Sequence, residues 1–133
     1  MAATEKLLFY LSFSTLMAHE LDAMLQSEWR LLPILQLLPE PTAMAAFVLL
    51  HIPLVTALLW LTHSEVSSLR AKWRLGIAAF LAFHAVLHKL LDFLPDYTFH
   101  SLLSQGLIFG GGLLGCAYLA ERYLAQQRSQ QIN

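Results

Sequence analysis

Residues 43-AMAAFVLLHIPLVTALLWLT-62 contain no Asp, Glu, Lys or Arg, and His51 is their one histidine. At about 1.5 Å of rise per residue, a helix of this length matches the ~30 Å hydrocarbon core of a bilayer. Working outward, three more apolar stretches follow the same reading: residues 5–25 before it, and 74–94 and 99–121 after it. The expected fold is all-α, a four-helix transmembrane bundle forming one integral membrane domain over residues 1–133. Composition points the same way. Of the 133 residues 57% are hydrophobic and 13% charged, with a mean hydropathy of +0.57, too apolar for an ordinary soluble domain. A net charge of -1 gives no footing for nucleic acid as a partner.

The first stretch is the least apolar. Lys6 followed by 7-LLFYL-11 looks like the start of a secretory signal. However, Leu16 in 16-LMAH-19 occupies the place where cleavage wants a small residue, and apolar character resumes after His19. An uncleaved span is expected. The segment 28-EWRLLPILQLLPEP-41, with prolines at 33, 39 and 41, reads as a short interfacial connector rather than a fifth crossing.

Basic residues set the orientation. Arg70, Lys72 and Arg74 lie in the middle connector and Arg122 and Arg128 in the tail, whereas Glu28, Glu40, Asp92 and Asp96 make the other two connectors acidic. Both termini are therefore expected in the cytoplasm. Trp29, Trp60, Trp73, Tyr97 and Tyr123 fall near span ends, as an aromatic belt would. In span four, Gly106-x-x-x-Gly110 and Gly111-x-x-x-Gly115 predict close backbone packing, within the bundle or against a second copy or partner subunit. The single cysteine, Cys116, excludes an intrachain disulfide or CxxC site and is expected to be a small core residue.

Polar side chains inside a bilayer cost several kcal/mol unless they pair, face the bundle or bind something. Counted from the outer ends of the spans, His19 and His88 lie about 9 Å deep, His51 about 12 Å and His84 about 15 Å. Three helices thus deliver histidine to the outer half of the membrane, beside Glu20 and Asp22. In 83-FHAVLHKLLDF-93, His84, His88 and Asp92 recur at helical spacing on one face, as do His19 and Asp22 in 19-HELD-22. Facing helices build metal sites in this manner. His19, His51, His84 and His88 are the expected ligands, with zinc the first choice and iron the second. A haem held by His51 and His84 is disfavoured, because it leaves the acids of span one without a role.

If the protein is an enzyme, the simplest chemistry is zinc-assisted hydrolysis of a lipid-like substrate. His19, His84 and His88 would hold the ion, His51 would be a fourth ligand or a donor behind it, and Asp22 or Glu20 would be the base. The rival expectation is a non-catalytic membrane subunit or small-molecule-binding protein whose polar residues fasten helices together. His63 is expected to be an interface residue, and His100 starts span four on the outer side.

The string 19-HELDA-23 is similar to the H-x-x-E-E signature of the HXXEE-domain family of small bacterial membrane proteins. Asp22 stands where the first glutamate of that signature would be, and Ala23 replaces the second. A bacterial inner membrane is the expected location, and the resemblance implies a membrane location and a His/acid site at His19 and Asp22. It supplies no substrate.

Overall fold

The computed structural model describes residues 3–131. Four long helices follow one another: α1 (Ala3–Leu25), α2 (Glu40–Thr62), α3 (Ser67–Leu91) and α4 (Leu102–Gln131). There is no strand among the described residues. Helices α2, α3 and α4 are long and apolar enough to cross a membrane. Helix α1 has the length, but Glu5, Lys6, His19, Glu20 and Asp22 lower its hydropathy. It buries Glu5, His19 and Asp22 along with Phe9, Leu16 and Ala23. A polar stripe turned toward neighbouring helices is how such residues are tolerated in an apolar segment.

Helices α1, α3 and α4 form the tightly packed part of the bundle. The glycines of α4 explain why. A side chain carbon added at Gly112 would stand 2.7 Å from Ala85 Cβ, and one added at Gly115 would strike the carbonyl oxygen of Ala78. Gly111 meets Leu81 and Thr15 at ordinary contact distance or slightly closer. Gly106 and Gly110, expected to share this role, face open space instead. Cys116 also departs from expectation, lying exposed on the outer side of α4.

Helix α2 is attached differently. Its buried residues are Ala43, Phe47 and Thr62, near its two ends, and only 6% of its most apolar window is covered by the protein. A helix this apolar and this uncovered calls for an apolar surround outside the chain. Pro53 sits at its centre and leaves one carbonyl without its helix hydrogen bond. Between α1 and α2 lies an apolar cleft of about 350 Å³ lined by Met17, Glu20, Leu21, Met24, Val48, His51 and Val55.

The ends of the bundle are fastened by polar contacts. At one, Arg122 donates to Glu5 at 3.0 Å, and Arg74 donates to the Thr62 carbonyl at 3.0 Å while stacking over Phe9 at 4.5 Å. At the other, the 28–41 connector forms two 3-10 turns, Glu28–Arg30 and Leu35–Leu37, held to α2 where Trp29 and Arg30 donate to Glu40. Trp29, expected at a lipid interface, is buried against Phe47, and Tyr97 is likewise buried. Helix α3 begins at Ser67, so Arg70, Lys72 and Arg74 belong to its first turns rather than to a loop.

Candidate metal centre

The site is assembled by the end of α1, the turn that follows it, and the last turns of α3. Helix α1 stops at Leu25, and Ser27 takes a left-handed conformation (φ 56°, ψ 44°) that folds the chain back on itself. The next residue is Glu28, whose side chain is 13% exposed and comes within 3.9 Å of both His19 Nε2 and His88 Nε2. His84 and His88, one turn apart on α3, present their rings edge to face at 4.4 Å. His84 Nε2 meets His19 Nε2 at 2.9 Å. One donor atom from each of His19, Glu28, His84 and His88 lies within 4.8 Å of the others, close enough to hold a metal ion.

The surroundings orient these groups. His88 Nδ1 hydrogen-bonds the Tyr97 hydroxyl at 3.2 Å, which leaves Nε2 turned toward Glu28. Burial raises the Tyr97 phenol above its usual range, so the hydroxyl stays neutral and serves as a hydrogen-bond partner. Phe99, fully buried, covers the rings of His19 and His88. Thr98 donates to the Gln26 carbonyl at 2.6 Å and ties this cover to the end of α1. Burial also pushes the Glu28 carboxyl up to about 7, with nearby Glu20 and Asp22 adding to the rise and His51 opposing part of it.

The structure places His51 elsewhere. Its Nδ1 is 2.7 Å from the Phe47 carbonyl and its Nε2 is 2.8 Å from Glu20. Both partners are acceptors, so a second proton must reside on the His51–Glu20 pair. This pair forms part of the cleft between α1 and α2, beside the histidine cluster rather than within it. Asp22 is buried one turn from His19. Its Oδ1 accepts from Gln26 at 3.4 Å, while Oδ2 and His19 Nδ1 have no hydrogen-bond partner among the described residues. Asp92, which caps α3 in helical conformation, pairs with Lys89 at 2.5 Å instead of joining His84 and His88. His63 is exposed at the end of α2, and His100 is exposed with its ring against Tyr97.

Sequence reasoning did not select Glu28. It was one acid of a proline-rich connector, and the reversal at Ser27 is what carries it to the histidines. The signal available was local: Glu28 precedes a tryptophan and follows the His19 helix by one short turn.

The fold and the site together define a helical protein with membrane-length apolar helices and a buried group of three histidines and a glutamate. The chain belongs to a family of unknown function, DUF6713, which matches residues 5–124. This corrects the likeness of 19-HELDA-23 to the HXXEE-domain signature, which does not extend to membership. The acid that joins His19 is Glu28, nine positions on, and not the adjacent pair that signature requires. No curated protein and no solved structure matches the chain.

Proposed function

We propose that this protein is a four-span membrane protein that binds a divalent metal ion, zinc before iron, through His19, His84, His88 and Glu28. The observation that carries the reading is the convergence of these four donors, from two helices and a turn, within 4.8 Å. Tetrahedral zinc with bonds of about 2.0–2.1 Å sets its ligand atoms about 3.3 Å apart. The donor separations run from 2.9 Å for His19–His84 up to 4.8 Å, on either side of that spacing, so the widest pairs would draw in by more than an ångström to close the shell. Nitrogen and carboxylate donors without thiolate favour zinc or iron. The arginines at one end of the bundle and the acidic connectors at the other support both termini being cytoplasmic, with the metal toward the outer leaflet.

Glu28 is the ligand best suited to leave, being on a turn and the most exposed of the four. Its departure would open a position for water on an ion held by three histidines, the arrangement that lowers the pKa of bound water to ~7. The reaction class this supports is hydrolysis of an amphiphile whose chain lies in the apolar α1–α2 cleft. Asp22, with one buried oxygen unpartnered and one helical turn from His19, is the candidate base; Glu20, held by His51, forms part of the cleft wall.

A second reading has its own support. The His19–His84 hydrogen bond fastens α1 to α3 without an ion, and His88 is held by Tyr97. There the cluster is a polar clasp in a non-catalytic membrane subunit. Elemental analysis of the purified full-length protein separates the two. One zinc or iron per chain, lost in His84→Ala, supports the metal centre. Metal-free protein with undiminished stability supports the clasp.

A further inference from the structure

At the opposite end of the bundle from the histidines lies a cavity of about 210 Å³. Arg70, Arg74 and Ser67 of α3, Tyr118 and Arg122 of α4, and Glu5 of α1 line it. Three guanidinium groups thus share a small space with one carboxylate. Each is held in place by an acceptor of the protein: Arg70 Nη1 donates to the Ser64 carbonyl at 2.5 Å, Arg74 Nε to the Thr62 carbonyl, and Arg122 Nη1 to Glu5. Arg122 Nε is buried and has no partner among the described residues.

The cavity also lies at the N-terminal end of α3, a 25-residue helix that begins at Ser67 without a side-chain cap. Its first backbone N–H groups and its dipole add to the positive field there. Even without Arg74, Arg70 and Arg122 face the one lining carboxylate, Glu5, which leaves an excess of positive charge in a partly buried space. Such an excess calls for an anion.

We propose that this cavity binds a phosphate group. Arginine forks pair two-pronged with phosphate oxygens, and a tetrahedral group with several outward oxygens can engage guanidinium groups from both α3 and α4 at once. A planar carboxylate presents only two. The phosphate belongs either to an anionic lipid headgroup or to a soluble phosphate compound. Basic pockets between helices at a membrane surface commonly take the former. The proposal is independent of any metal, because it rests on the other end of the molecule.

The test uses the full-length protein in two settings: phosphatidylcholine nanodiscs with or without phosphatidic acid, and detergent micelles with or without inorganic phosphate. Thermal unfolding and equilibrium titration are read in each. A stabilisation by phosphatidic acid alone assigns a lipid headgroup, and one by inorganic phosphate assigns a soluble ligand. Either supports the site. Arg70→Gln should weaken binding roughly tenfold or more, as loss of a charge-assisted contact does. Glu5→Gln should tighten it, since the competing carboxylate is gone, while Lys89→Gln at the far end should change nothing. The proposal is overturned if neither probe binds, if Arg70→Gln binds like the parent, or if Glu5→Gln fails to bind more tightly.

Discussion

The Nε2 atoms of His19 and His84 face each other across 2.9 Å, two like atoms that satisfy one another only by sharing a proton. An ion that replaced the proton would use both lone pairs at once. The contact joins α1 to α3 at this end of the bundle, and Glu28 closes the third side at 3.9 Å. The same two nitrogens therefore decide between a metal centre and a hydrogen-bonded clasp.

Ligands of one ion do not act independently. His84→Ala and His88→Ala should each abolish stoichiometric metal, and the double variant should lose little further stability. His51→Ala should retain the metal, because His51 contacts Glu20 and the Phe47 carbonyl instead. Its cost should be about 1–3 kcal/mol, from leaving Glu20 without its partner. Metal content and thermal midpoints of the four variants check this. Retention of metal by both single cluster variants would remove the centre.

The pH dependence has a definite sign. A free glutamate titrates near ~4.3, whereas buried Glu28 titrates at about 7. Its folded-state pKa is raised, so the folded, metal-free protein holds the proton more firmly than the unfolded chain. The contribution of Glu28 is most favourable below about pH 4 and is lost as pH rises toward about 7. Metal binding runs the other way, since it needs the carboxylate and neutral imidazoles and strengthens as pH rises. Chelator-treated parent should lose stability over this range relative to Glu28→Gln, while the stabilisation conferred by added zinc grows. Parallel pH profiles for the metal-free parent and Glu28→Gln would refute the assignment to Glu28.

Packing along α4 distinguishes two kinds of glycine. Gly115→Ala places a methyl against the Ala78 carbonyl and 3.2 Å from Leu81 Cβ, so it should cost about 1–3 kcal/mol. Gly106→Ala meets open space and should be neutral or stabilising by up to ~1 kcal/mol, through helix propensity. Thermal unfolding in detergent reads both. Equal effects would mean that α4 does not approach α3 through Gly115.

Much of this was legible in the sequence, for reasons that differ by residue. The apolar run 43–62 and the helical spacing of His84 and His88 report period and hydropathy, and these survive into the structure as α2 and the inner face of α3. What failed to read depended on where a helix stops or turns. Asp92, at the cap of α3, is taken by Lys89 instead of the histidines, and Glu28 entered the site because Ser27 reverses the chain. His51 showed its place on α2 in the sequence but not its partner, since Glu20 and Asp22 lie on different faces of α1. The two glycine pairs looked alike by spacing, and only the position of α3 makes Gly115 tight and Gly106 open.

Orientation is the last point open to measurement. Arg70, Arg74 and Arg122 gather at the end of the bundle that also holds Glu5, and the connectors at the other end carry Glu28, Glu40 and Asp96. The positive-inside rule places the first group in the cytoplasm. Cys116 lies on the outer surface of α4, so Cys116→Ala should change stability by no more than about 0.5 kcal/mol and provides a clean background. On that background, Glu65→Cys and Gln127→Cys should be protected from an impermeant thiol reagent added to intact cells. Ile34→Cys and Asp96→Cys should react. All four positions are exposed, so burial does not confound the comparison. The reverse pattern would invert the bundle, turn the arginine cavity outward and place the histidine cluster on the cytoplasmic side. Reaction of Glu65→Cys and Ile34→Cys from the same side would show that α2 does not cross the membrane.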